Sequence, residues 1–427
     1  MSDSESEEMS ISPRSVRSRS RSPVVKKKIL ESNSPEPINS KVPEKPSKED
    51  QDSESSDDMF IKTPEAIQEK VQIRVGGETE DTKGYYIPQV GELLVDVNKS
   101  TRYKIVSVKG KGVFSCVVEV QNMETSEHHA IKVLRNNDIM LKSGEKEIRI
   151  IKKLNNSDPN DRRHIIRCQD SFFYQNHLCI KFEALGMNLR ELLTRYSSGN
   201  GLSLEAVKSF ARQGFIALYH LRNEKIIHTD IKPDNILISN DLRKIKLSDF
   251  GTALESGENK ITENLVARFY RPPEIYLGYP YDYSLDVWSF GCTLFELFTG
   301  KILFPGVSDS HMLKLMMDLK GPIPKKLRSQ GKFANKYFDQ FSFIYVKDEL
   351  EGPCRVPLSE LKKEKNLGVI LEPNLQKLLP ERSEDLEAYT KELLKFQNLL
   401  EQCLELDSNE RITSELALKH PFLMKKS

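Results

Sequence analysis

Apolar residues change their spacing once along this chain, and the change divides it. From about Tyr103, the runs YKIVSV (103–108), SCVVEV (115–120), HHAIKVL (128–134) and HLCIKF (177–182) are short, rich in β-branched residues and separated by turn formers, which predicts strands. Among them, SGEKEIRIIKKLNN (143–156) repeats its apolar positions at helical spacing. Past residue 186 that spacing dominates, in LEAVKSFARQGFIALYHL (204–221), YSLDVWSFGCTLFELFTG (283–300) and AYTKELLKFQNLLEQCLEL (388–406). Strands first and helices after predict an α+β fold of two lobes, a small β-rich lobe at about 103–183 and a larger helical lobe at about 186–424. Residues 85–102 read as a lead-in to the domain.

Residues 1–84 follow neither period. They are rich in Ser, Pro, Glu, Asp and Lys, and Phe60 is their only aromatic residue, too little apolar surface to offset the entropy of ordering, so a disordered tail is expected. Within it, RSVRSRSRSPVVKKK (14–28) alternates serine with arginine and ends on three lysines, which fits a nuclear-import signal, an arginine-serine arm for other proteins, or a weak RNA contact. A solvated charged tail is the plain alternative. Acidic serine blocks flank it (2–8 and 50–58), and Ser12, Ser22, Ser34 and Thr63 each precede proline, so phosphorylation there would weaken the basic arm's electrostatic reach.

Composition removes several classes of function. With 427 residues, 38% hydrophobic and 30% charged, the chain can bury a large core, and it lacks both an apolar run of about 18 residues and a secretory leader pattern, so a soluble protein is expected. The net charge of +1 hides the local blocks. Six cysteines without C-x-x-C spacing, four of them in apolar stretches, predict reduced thiols instead of a disulfide frame or a zinc site. A monomer is the default expectation.

The chemistry is carried by a series of short motifs. KGKGVFSCV (Lys109, Gly110, Lys111, Gly112, Val113, Phe114, Ser115, Cys116, Val117) lies between two predicted strands, where Gly110 and Gly112 would let backbone N–H groups approach phosphates. Fifteen residues on, AIK places Lys132 on the next strand. Either Glu145 or Glu147 on the following helix could pair with it, and Glu147 is preferred because Ile148, Ile151 and Leu154 form the apolar face beside it. IIHTDIKPDN (226–235) and SDFG (248–251) complete the series.

In this order the motifs resemble the protein kinases, with Thr229 standing where the catalytic loop usually has arginine. The resemblance implies ATP and Mg2+ as cofactors. Lys132, paired with Glu147, would reach the α and β phosphates; Asp230 would accept the proton of a substrate hydroxyl; Lys232 would steady the transferring phosphoryl group; Asn235 and Asp249 would hold the metal. Backbone groups of Glu183 and Leu185 in KFEAL would pair with the adenine edge, Phe182 would close the back of the pocket, and Val117, Ala130 and Leu237 would sandwich the base. Glu274 and Arg411 are expected as a buried structural ion pair, and Asp286 as a structural residue of an apolar helix.

LVARFYRPPE (265–274) resembles the CMGC group, and HMLKLMMDLKGPIPKKLRSQGKF (311–333) in a group-specific insert at about 307–400 resembles the spliceosomal pre-mRNA processing factor four kinases, relatives of the dual-specificity tyrosine-regulated kinases. The likeness spans about 86–424 and implies a nuclear serine/threonine kinase acting on splicing factors, with spliceosomal proteins as partners. Thr229 stands where many kinases have an arginine that grips activation-segment phosphate, an arginine the resembled family also tends to lack. The chain departs from the group's pattern at Asn264, which replaces a phosphorylated tyrosine, and at Ala267, which replaces a Ser or Thr that bonds the catalytic aspartate and lysine. Glu263 is expected to supply charge to Arg268 or Arg271 in place of the phosphate. An active kinase is favoured by the complete metal and base set; a pseudokinase scaffold, or a related kinase with other substrates, is the alternative.

Overall fold

In the computed structural model the described residues are 84–112, 114–197, 199–346, 352–378 and 383–424; the tail readings and Val113 lie outside them. The first lobe is one antiparallel sheet of six strands in the order β1-β2-β3-β4-β6-β5. Its members are β1 (Leu93–Asp96), β2 (Thr101–Lys111), β3 (Ser115–Asn122), β4 (His128–Leu134), β5 (Cys168–Tyr174) and β6 (His177–Glu183). Helix α1 (Asp138–Asn156) packs on the sheet, started by the Asn137 side chain accepting from the Met140 N–H.

Strand alternation sorts the side chains. Cys116, Val118 and Val120 point into one buried cluster with Tyr103, Ile105, Ile131 and Cys179. Val117 and Glu119 lie on the opposite face, and the register Val117↔Lys132 and Glu119↔Ala130 puts Lys132 and Ala130 there too. The segment 85–102 packs on the sheet: β1 pairs with β2, and Tyr86 is buried in the same cluster. Four residues, LLVD, are too short a run to show alternation in the sequence.

The second lobe is helical. It contains α2 (Leu189–Tyr196), α3 (Leu204–Asn223), the short strands β7 (Ile226–Ile227), β8 (Ile236–Ile238), β9 (Ile245–Leu247) and β10 (Leu254–Glu255), then α4 (Pro273–Leu277) and α5 (Ser284–Thr299). The insert supplies α6 (Asp309–Lys320), α7 (Lys325–Gln330), a hairpin of β11 (Ser342–Val346) and β12 (Pro353–Pro357), α8 (Leu367–Leu378) and α9 (Ser383–Cys403), before α10 (Ser414–Leu418) closes the lobe. Helix α5 is buried along its whole length from Leu285 to Thr299, which its nearly unbroken apolar sequence requires. Gly214 of α3 lets the Phe290 ring of α5 approach, since a Cβ there would lie 2.0 Å from it.

The six cysteines are free thiols, with Cys116, Cys179, Cys292 and Cys403 buried. No described helix is long and apolar enough to cross a membrane. The Glu274–Arg411 pair forms with both side chains fully buried, at 2.7 and 2.9 Å. Arg411 also donates to the carbonyls of Glu405 and Ser284, and its guanidinium lies 5.1 Å over the Trp288 ring. Arg411→Met leaves the Glu274 carboxylate buried without a partner and should destabilise the domain by about 3 kcal/mol or more in chemical denaturation, and adding Glu274→Met should recover part of that loss.

Candidate active site

Three chain segments meet at Lys132. Its Nζ lies 2.8 and 2.9 Å from the Glu147 carboxylate and 2.9 Å from Asp249 Oδ1. Glu147 is buried on the inner face of α1, whereas Glu145 is exposed. Ser143 of the same helix donates to the Gly251 carbonyl at 3.2 Å, joining α1 to the segment that follows Asp249. Burial by itself lowers the Lys132 ammonium, but the two carboxylates outweigh it and hold the pKa above the ordinary lysine value. The Lys132 charge beside Asp249 depresses that carboxyl to about 2, so it is anionic throughout the physiological range. Burial pushes the Glu147 carboxyl up, against the pull of Lys132.

The loop 228–235 is held from below. Asp286 of α5 is buried and its two oxygens accept the N–H groups of His228 (2.7 Å) and Thr229 (3.0 Å), while burial raises its pKa. Thr229 sits at φ +69°, an unfavourable conformation for a β-branched residue that this pair of bonds offsets. Its hydroxyl donates to the Thr252 carbonyl at 2.9 Å, so the position links the loop to the next segment by a neutral hydrogen bond. Above it, Lys232 Nζ and Asn235 Nδ2 each lie 2.7 Å from Asp230 Oδ2. The Asn235 carbonyl accepts both the N–H and the hydroxyl of Ser248, which seats Asn235 beside Asp249. With its amide nitrogen committed to Asp230, Asn235 could turn its side-chain oxygen to a hard cation, and the Asp249 carboxylate could supply a second oxygen. Two such oxygen donors, completed by phosphate and water, suit a small divalent ion.

The glycine stretch needs revision. Gly110 and Lys111 belong to β2, in register with Val117 and Cys116, and the turn is closed by Gly112 N–H donating to the Ser115 carbonyl at 2.8 Å. The space where a Gly110 Cβ would stand is open, which leaves backbone access at that point. Lys109 is paired with Glu119 at 2.8 Å, and Phe114 is exposed. The Cys116 side chain faces the core on the far side of the sheet from Val117, because neighbouring strand residues point to opposite faces. At the junction of the lobes, Phe182 is buried, and Ala130, Leu185 and Leu237 are half-buried against the main core. The Glu183 carboxylate is taken by buried Lys246, 2.7 Å away, which also pairs with Asp161.

On the substrate side, Val266 stands at φ +68°, and its carbonyl accepts both Nε and Nη2 of Arg271 at 3.1 and 3.0 Å. The expected contact of Glu263 with Arg268 or Arg271 is overturned. Glu263 pairs with Lys336, and the arginines face Asp309 of the insert. Ala267 offers no hydroxyl to Asp230 or Lys232, which bond to each other instead. A network absent from the sequence reading joins the platform to the loop. Arg190 reaches Asp234 at 3.1 Å, the Tyr270 hydroxyl at 2.7 Å, and Glu296, to which Tyr270 donates at 2.6 Å. The one available signal was Glu296 itself, a charge within an apolar helix that required a partner.

A protein kinase domain profile matches residues 103–423. The chain is 42% identical over 357 residues to serine/threonine-protein kinase prpf4B of Dictyostelium discoideum, covering 82% of this chain and 42% of that protein. It is 38% identical over 388 residues to serine/threonine-protein kinase prp4 of Schizosaccharomyces pombe, covering 87% and 79% respectively. Dual specificity protein kinase YAK1 of Saccharomyces cerevisiae is 33% identical over 359 residues, covering 80% of this chain and 44% of that protein. The chain thus spans less than half the length of two of these three relatives. With the motif series, the two lobes and this similarity in agreement, the chain belongs to the protein kinase family, among the prp4-like serine/threonine kinases of its CMGC group.

Proposed function

We propose that the chain is an active serine/threonine kinase that transfers the γ-phosphate of Mg2+-bound ATP to nuclear splicing proteins, with proline favoured after the acceptor. The observation that carries the catalytic part is the joined arrangement of Lys132, Glu147 and Asp249 with Asp230, Lys232 and Asn235. Nuclear splicing substrates rest on the resemblance of the insert and on the arginine-serine stretch of residues 14–28.

Lys132, held by Glu147, positions the α and β phosphates, and the open space at Gly110 lets the backbone of the β2-β3 hairpin approach them. Asn235 and Asp249 would hold the metal, which when bound neutralises charge developing on the phosphates. Asp230 orients the acceptor hydroxyl and takes its proton as the oxygen–phosphorus bond forms and the bond to the ADP oxygen breaks. Lys232 stands beside Asp230, where it can offset charge on the moving phosphoryl group.

Proline preference has its own physical reason. The Val266 carbonyl is turned away by the left-handed backbone and is occupied by Arg271, so it is closed to the N–H of a residue after the acceptor. A residue with an N–H loses a bond there, and proline has none to lose.

Transfer to serine-proline and arginine-serine peptides should require Mg2+ and fall at least about a hundredfold in kcat with Asp230→Asn, the protein still binding ATP. A folded wild type that binds ATP and transfers nothing would turn the assignment to a scaffold. Ala267→Ser restores the hydroxyl that in the resembled group bonds the residues corresponding to Asp230 and Lys232, and should raise kcat by roughly fivefold, the worth of about one hydrogen bond. Glu147→Gln should loosen Lys132 and raise KM for ATP while leaving the melting temperature within a few degrees.

A further inference from the structure

Arg268 and Arg271 lie on the segment that shapes the substrate platform. Arg271 is largely buried; besides holding the Val266 carbonyl, its guanidinium lies 5.0 Å over the Tyr276 ring. Arg268 is half exposed and donates to the Val307 carbonyl at 3.2 Å, while its own carbonyl accepts the Tyr276 hydroxyl at 2.8 Å. A guanidinium withdrawn from water requires a counter-charge. The nearby acid of the same segment, Glu263, is committed to Lys336.

The counter-charge comes from Asp309, the first residue of α6, some forty positions along the chain. Its Oδ1 lies 3.3 Å from Arg268 Nε and 3.8 Å from an Arg271 Nη. That oxygen is buried and accepts no hydrogen bond, so the two guanidiniums and the N-terminal end of α6 compensate its charge. The helix that presents it is fixed, because the Ser308 side chain caps α6 through the His311 N–H and also donates to the Val346 carbonyl at 2.7 Å.

We propose that Asp309 is a specificity-determining positioning residue, a permanent carboxylate that holds Arg268 and Arg271 and, through Arg271, the left-handed turn at Val266. The segment between Asp249 and Arg268 contains no tyrosine, and with Asp309 in place its arginines need no added phosphate to be paired. The insert thereby takes part in substrate choice, because the carboxylate stands on its first helix. This role rests on the proline-directed reading given above.

The test uses the full chain and two peptides that differ only in proline or alanine after the acceptor serine. Wild type should favour the proline peptide in kcat/KM. Asp309→Asn and Asp309→Ala should shrink that ratio by roughly fivefold, as expected for loss of one partly buried charge pair, with KM for ATP unchanged. Asp309→Glu should restore most of it. Wild type stripped of phosphate by a phosphatase, verified by intact mass, should keep the ratio, and this arm does not depend on any variant folding. An unchanged ratio in folded Asp309→Asn, or loss of preference on dephosphorylation, overturns the role of Asp309 while leaving the proline reading intact. A wild type indifferent to proline overturns both.

Discussion

A single buried carboxylate organises the catalytic loop. Asp286 accepts two consecutive backbone N–H groups, from His228 and Thr229, and the geometry of that pair of bonds places Thr229 in a left-handed conformation that threonine rarely adopts. Asp230 follows directly, so its direction into the cleft depends on a residue fifty-six positions later in the chain. Removing the acceptor would leave two buried donors unsatisfied and release the strain at Thr229. The helix that carries Asp286 is buried on every side, against α3 through the Gly214 and Phe290 contact and against α9 through Gly291 and Cys403. The precision of the loop therefore derives from the packing of the larger lobe.

From that anchor the remaining links are short. Asn235 is tied to Asp230 on one side and to Ser248 on the other, Asp249 follows Ser248, and Lys132 joins Asp249 to Glu147 of the smaller lobe. Arg190, Tyr270, Asp234 and Glu296 connect the same loop to the substrate platform. The two lobes and the platform thus meet at groups whose charges are already paired. The neutral bond from Thr229 to Thr252 and the Asp309 carboxylate beside Arg268 are further fixed contacts of the same segment, and in its proposed role Asp309 provides the pairing that a phosphate would supply.

Much of this was legible in the sequence, for identifiable reasons. Strands such as YKIVSV and helices such as that of residues 204–223 announce themselves by period, because one side of each is buried. Glu147 could be preferred to Glu145 from the apolar face of Ile148, Ile151 and Leu154, although the residues buried beside it are Ile150, Ile151 and Leu154. The Glu274–Arg411 pair was accessible from the family resemblance. What escaped was set by long-range geometry. Nothing in the sequence near Arg271 points to Asp309, and Glu263 was the nearer acid but faces Lys336. Cys116 is continuous in sequence with the glycine stretch, yet alternation sends its side chain to the other face. Strand β1 is too short to carry a period and exists because β2 offers it an edge.

The central claim is that this site is assembled without phosphate on its activation segment. The most direct measurement is a time course of phosphate transfer to a serine-proline peptide by full chain shown by intact mass to carry no phosphate at the start. The account predicts a linear course from the first turnovers. A lag, with the rate rising as the chain itself acquires phosphate, would contradict it.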